Sequence, residues 1–297
     1  MSHRSNVPRI FLRPANGLEE YVEFGFIFAK QHGAGLPQVR RLPTGRASIF
    51  FAVDVRNSRY GAGPQTGLFC EGPQSKSFHV TGQVGEIVGV KLRVGGMRAL
   101  LGLPAKELRD STFSLESVWG APVRALVDAM ATARGAAERL ALLNGELRRR
   151  CDAYRRHDLA AVHACGLIAD SGGRMRVREL AASCGLSERS LLQKFNDWAG
   201  LTPKQYARLV RVRSCIAQMD SGVGPAWVNV ADSYGYFDQA HMNHEFRELL
   251  GQPPSAFALQ RDSFNAVVAP ASGFRFLPSN DGRLYRALGF VSDWVER

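Results

Sequence analysis

A repeat inside the C-terminal half limits what this chain can fold into more than any other feature. One copy runs Leu180-Ala181, Gly185-Leu186, Ser187 to Phe195, then Gly200, Pro203 and Tyr206. The other runs Val230-Ala231, Gly235-Tyr236, Phe237 to Phe246, then Gly251, Pro254 and Phe257. The offset is 50 residues from Ala181 to Ala231 and 51 from Phe195 to Phe246. One extra residue in the second turn accounts for the change, and a turn is where an insertion disturbs packing least.

Each copy has the mechanics of two helices joined by a tight turn. The first helix ends with a small residue, Ala181 or Ala231, where a second helix can approach closely. Gly185 or Gly235 follows, able to take the positive φ that the turn requires. Ser187 and Asp238 are placed to cap the next helix by accepting its free N–H groups. That helix has an apolar face: Leu191 and Phe195 in one copy, Met242, Phe246 and Leu249 or Leu250 in the other. Gly200 and Gly251 can end the helices, and Pro203 and Pro254 suit the first turn of the helices that follow.

At 100° per residue, with Leu191 inward, Arg189, Gln193 and Asn196 lie on the opposite face. With Met242 inward, Ala240, His244 and Arg247 lie opposite, Asn243 lies to one side, and Gln239 and His241 occupy the first turn. If these helices enter a major groove, their early residues meet base edges. Arg there suits guanine, and Gln suits adenine. The base-reading set is then Ser187, Arg189, Ser190, Gln193, Asn196, Gln239, His241, Asn243 and His244. Lys194, Lys204, Arg208, Arg211 and Arg247 are the residues read as phosphate contacts, which position a protein without reading sequence. Two such copies in phase are hard to explain as helical hairpins with merely solvated faces.

The pattern A-x₃-G-[LY]-S…L-x₃-F-x₄-G-x₂-P-x₂-Y, followed by A-x₃-G-Y-x-D-x₃-M-x₃-F-x₄-G-x₂-P-x₂-F, resembles the DNA-binding domain of AraC/XylS-type regulators. The segment YGYFDQAHMNHEFRELLGQPPSAF is similar to that family's signature. The resemblance covers residues 158–259. It implies two helix-turn-helix units that insert recognition helices in successive major grooves on one face of double-stranded DNA. Trp227, Leu192 and Ala240 depart from the family pattern, and Ala240 has no group to bond a base edge. In the second unit the acids Asp232, Asp238, Glu245 and Glu248 outnumber Arg247. The first unit is therefore expected to contribute more to affinity.

The N-terminal part reads differently. Tyr21–Phe28, Ala47–Val55, Gly67–Glu71, Ser77–Thr81 and Glu86–Val94 are short β-rich runs bounded by Gly, Pro, Ser or Asn, which suggests a small barrel or sandwich. LPTGRASIFF, GEIVGVKLRVGGMRALLGLPAKELRD and SLESVWG are similar to the sensory domain that precedes this DNA-binding domain in one branch of these regulators. Met97–Leu101, Pro122–Met130 and Ala136–Arg150 have helical spacing. Leu140, Leu143, Leu147 and Cys151 form a stripe that could pack on its own domain or serve as a dimerisation seam. The fold class is α+β: an N-terminal β-barrel-like domain followed by an all-α double helix-turn-helix domain. The parts are a sensing or dimerisation domain over 8–120, a helical linker over 121–157, the DNA-binding domain over 158–259, and a tail over 260–297 that could return to the N-terminal domain.

Among 297 residues, 38 are Lys or Arg and 27 are Asp or Glu, a formal charge of +11. That balance favours polyanionic partners. It does not locate them, because the positive charge of the helical region is local to 189–213, where six basic residues accompany one acid, Asp197. Five cysteines without a CxxC pair fit reduced thiols rather than disulfides or zinc. Nothing resembles a signal peptide, a membrane span or a phosphate-binding GxxxxGK[ST] loop, so a cytoplasmic, non-enzymatic chain without cofactor is expected. RNA polymerase, a small-molecule effector and a second copy are the further partners open to it. Cys70 is either a buried thiol or a reactive sensor, the latter pointing to a thiol-reactive or enzymatic sensor domain. His241 and His244 could contribute to a metal site only with outside ligands. Phe24, Phe26, Phe28, Phe50 and Phe51 could line an effector pocket or fill a core.

Overall fold

The computed structural model describes residues 9–29, 39–57, 65–80, 82–83, 85–153, 158–219, 231–259, 275–278 and 285–288. Trp227, Val230, Arg155 and Arg156 lie outside them. The N-terminal strands are β1 (Arg9–Leu12), β2 (Val22–Ala29), β3 (Val39–Arg41), β4 (Ser48–Asn57), β5 (Gln65–Glu71), β6 (Phe78–Val80), β7 (Gly82–Gln83) and β8 (Glu86–Leu92). After the short helix α1 (Gly96–Leu101) and a 3-10 turn at Ala105–Leu108 comes β9 (Thr112–Ser114). Two strands of the tail, β10 (Arg275–Pro278) and β11 (Tyr285–Leu288), join the same antiparallel sheet. Its order is β10-β11-β1-β2-β8-β4-β5-β9, with β7 beside β4, while β3 and β6 pair separately.

Alternation along the strands gives this sheet two apolar faces. Phe24, Phe26, Phe50 and Phe69 cluster on one, with Phe11 and Phe28 at their margin. Ile27, Ile49, Phe51, Val88, Val90 and Leu92 line the other. The latter packs under α1, α2 (Glu116–Trp119), α3 (Val123–Thr132) and α4 (Ala136–Ala153). The strand phenylalanines are thus core residues. So is the stripe of α4: Leu140, Leu143, Leu147 and Cys151 are all buried against their own domain, which leaves no seam there for a second copy. The basic run at its end is tied down as well. Arg148 Nε donates to Asn16 O at 2.8 Å, and the Arg150 guanidinium lies 3.7 Å from the centre of the Trp119 ring.

The remaining helices are α5 (Leu159–Asp170), α6 (Val177–Ser183), α7 (Glu188–Ala199), α8 (Pro203–Met219), α9 (Gln239–Leu250) and α10 (Pro254–Leu259). They share one core, built on Leu191, Phe195, Tyr206, Met242, Phe246 and Phe257. Truncating Phe195 of α7 or Phe246 of α9 to Ala would cost about 3–5 kcal/mol by the usual cavity penalty.

This helical core is docked on the N-terminal sheet. Leu42, from the loop before β4, belongs to the helical core. Lys106 pairs with Asp197 at 2.8 Å, Arg98 stacks on Trp198, and Ser77 N–H donates to Leu249 O at 2.7 Å. At the centre Arg46 pairs with Glu23 and approaches Tyr206, with Lys91 and Arg213 close by. Burial pushes the Glu23 carboxyl up, but the charges of Arg46, Arg213 and Lys91 prevail and hold it below the usual range. Lys91 Nζ donates to Arg46 O at 3.0 Å and Ser48 Oγ at 3.1 Å. Burial brings its pKa down to about 8.

Candidate nucleic-acid interface

The first unit is α6, a turn and α7. Ala181 is buried, Gly185 has φ of 65°, and Ser187 Oγ accepts the Ser190 N–H at 3.1 Å. Leu191 and Phe195 are fully buried, and Gly200 closes α7 with φ of 75°. The second unit repeats this arrangement. Residues 231–233 end its first helix with Ala231 buried, and Gly235 has φ of 72°. Asp238 Oδ1 accepts the His241 N–H at 2.7 Å, Met242 and Phe246 are fully buried, and Gly251 ends α9 with φ of 73°. Pro203 and Pro254 are each the first residue of the next helix. The duplication is therefore structural as well as textual.

With the apolar residues of α7 inward, Ser187, Arg189 and Gln193 are exposed, and Ser190 and Asn196 are half-buried. On α9, Gln239, His241 and His244 are exposed and Asn243 is half-buried. The histidines are not idle: His241 lies 3.7 Å from Glu245, and His244 lies 3.4 Å from Glu248. Among the described residues no group of three or more His, Cys, Asp or Glu side chains is arranged to hold a metal ion.

The basic residues divide. Lys204 and Arg247 are exposed. Lys194 is half-buried and pairs with Asp158 at 2.5 Å, the residue that caps α5. Arg208 and Arg211, expected at phosphates, are instead turned onto α9. Arg208 Nε and Arg211 NH2 donate to the same Glu245 oxygen at 2.9 and 2.8 Å, and Arg208 also pairs with Glu248. The reason is geometric. Residues 204, 208 and 211 share one face of α8, and the far end of that face is covered by α9.

Two residues of the second unit have surroundings that the sequence pattern does not reveal. One is Glu245, buried at 3% exposure although it sits on a helix whose other face is open. Its i+4 spacing from His241 was visible, but its arginine partners were not. The other is Phe237, the residue that the second turn has in excess. It is 92% exposed, and its N–H donates to His241 Nδ1 at 3.4 Å. Cys70 is fully buried within the sheet core, and burial pushes its thiol far above the ordinary range. A reactive thiolate needs the opposite environment.

Residues 180–260 match the family described as a helix-turn-helix domain. The C-terminal region thus carries a helix-turn-helix domain. Residues 11–114, ahead of that domain, match a domain of unknown function (DUF6597). A curated relative, the uncharacterized HTH-type transcriptional regulator YidL of Escherichia coli (strain K12), is 33% identical over 100 residues, covering 33% of this chain and 32% of that protein. The chain thus spans about a third of the length of that relative. Among solved structures, ToxT from Vibrio cholerae aligns at 12% identity with a TM-score of 0.40, over 82% of this chain and 98% of that one. A second ToxT structure, described as bound to unsaturated fatty acid, aligns at 11% identity with a TM-score of 0.38, over 87% and 97%. No described helix is long and apolar enough to cross a membrane.

Proposed function

We propose that this chain is a sequence-specific transcription regulator whose two helix-turn-helix units read successive major grooves of one DNA duplex. The single observation that carries this is the repeated wedge. In both units the apolar face is buried while Arg189 and Gln193, or Gln239 and His244, stand in solvent at the matching helix. Arg189 suits guanine, and Gln193 and Gln239 suit adenine. Lys204 and Arg247 are the exposed cations best placed to meet phosphates. The helical core shares buried contacts with the N-terminal sheet, which supports modulation of the DNA-binding domain through that sheet by an effector or partner. Such a regulator acts in the cytoplasm, where RNA polymerase is a further partner.

Selection of bound duplexes from a random pool, using the full chain, tests this. The expected product is one asymmetric site spanning about two helical turns, roughly 20 base pairs. Its affinity should fall steeply with salt, log K against log [salt] having a slope of about −0.9 per phosphate neutralised. A pool that stays unenriched, or an affinity indifferent to salt, would overturn the proposal.

A further inference from the structure

We propose that Arg211 and Glu245 form a clamp that fixes the distance between the two recognition helices, and with it the half-site spacing the protein accepts. This rests on the two-groove proposal above. Between α8 and residue 231 the backbone is one covalent path from the first unit to the second. The clamp is a non-covalent link added to it. Arg211 sits in the middle of α8. Its NH1 donates to Gly173 O at 2.9 Å, in the turn after α5, and its NH2 donates to Glu245 Oε1 at 2.8 Å, in the middle of α9. One guanidinium therefore holds a carbonyl of the α5–α6 turn, just ahead of the first unit, and a carboxylate of the second recognition helix together. Its plane also lies over Tyr236, in the second unit's turn, at 5.5 Å.

The surroundings are built for this approach. Gly173 has φ of 78°, and a Cβ there would lie 2.3 Å from the backbone oxygen of Ala207 on α8. Arg174, next in sequence, packs where a Cβ of Gly235 would stand, 2.8 Å away. Arg208 Nε reaches the same Glu245 oxygen at 2.9 Å. Glu245 is 4% exposed at its side chain, Arg211 15% and Arg208 22%, so the charges are largely out of water. A buried, forked ion pair tolerates little displacement, because moving one partner leaves the others buried and unpaired. Arg211 and Glu245 are positioning residues and need not touch DNA.

The test uses the full chain and the duplex recovered from the random pool, together with the same duplex lengthened by one base pair between its halves. The insertion shifts one half by about 3.4 Å and turns it by about a tenth of a turn. The wild type should lose about tenfold or more in affinity for the lengthened duplex. Arg211→Lys keeps the charge but lacks the fork, and Glu245→Gln keeps the shape but lacks the charge. Both should discriminate the two spacings by threefold or less, while base preferences within each half stay unchanged. Circular dichroism and retained binding to the first half alone establish that each variant is folded. Arg211→Lys acting as wild type on spacing, or both variants losing affinity equally on the two duplexes, would overturn the clamp. The second outcome would return Arg211 to a plain affinity role. If the wild type recovers no two-part site at all, the two-groove proposal fails instead.

Discussion

A methyl group added at Gly200 would separate the cost of a local backbone conformation from the cost of docking two domains. Gly200 and Gly185 are both left-handed, with φ of 75° and 65°. An alanine at either position meets the same intrinsic penalty, about 1–2 kcal/mol. Their surroundings are opposite. A Cβ at Gly185 has nothing within 4 Å, whereas at Gly200 it would lie 2.6 Å from Pro73 Cγ and 2.8 Å from Ala105 O. Carbon atoms rest at about 3.5–4.0 Å, so Pro73 has to retreat by about an ångström. Ala105 O is backbone and cannot swing aside. Pro73 and Ala105 belong to the N-terminal part, so the retreat opens the contact that also holds Lys106 against Asp197. Overpacking of this kind adds about 1–3 kcal/mol. Gly185→Ala is expected to cost about 1–2 kcal/mol and Gly200→Ala about 2–5. At about 2–4 °C per kcal/mol for a unit of 150–250 residues, thermal unfolding followed by circular dichroism separates them by several degrees. Equal losses would refute the docked arrangement, since only the docked neighbours distinguish the two sites.

Arg189→Ala should reduce operator affinity more than His244→Ala at fixed salt, because Ala240 has no group to bond a base edge and the first unit offers both Arg189 and Gln193. A larger loss for His244→Ala, measured by fluorescence anisotropy, would reverse that ranking. Lys91 gives a pH signature. Burial lowers its pKa to about 8 from an unfolded value of 10.5, so between those values the unfolded chain binds more protons and stability rises with pH. Measured against Lys91→Met, where Glu23 shifts only far below this range, the wild type should gain about 3 kcal/mol between pH 7.5 and 10.5. A constant difference would mean that Lys91 is not desolvated.

The helix-turn-helix geometry was legible because its determinants are local. A glycine at the turn, a Ser or Asp before the helix, and leucines and phenylalanines at four-residue spacing each act within a few residues. The same repeat written twice removes the ambiguity of one copy. The strand runs were legible for the same reason, as short alternating segments between turn residues. Partners distant in sequence were not legible. Glu23 meets Arg46, Lys91 and Arg213 from three separate elements, and nothing in the local pattern around any one of them names the others. The stripe on α4 was equally undecided, because an apolar face shows that something covers it without showing what.

Helix α8 makes the limit concrete and also shows what the fold does with it. Its arginines looked like one basic surface in sequence. Arg211 and Arg213 are two residues apart, so their side chains leave the helix about 200° from one another. Arg211 reaches Glu245 of the second recognition helix, while Arg213 is buried on the other side near Arg46 and Glu23 of the sheet. Burying guanidinium groups on opposite faces of one helix is costly unless each finds its countercharge. Glu245 serves one side; on the other, burial and the charge of Arg46 outweigh the pull of Tyr206 and Glu23 and hold the Arg213 pKa below its ordinary value. The helix that joins the two helix-turn-helix units is therefore tied to the second unit through Glu245 and buries Arg213 against the N-terminal domain, so the basic character of this stretch serves packing before it serves any polyanion.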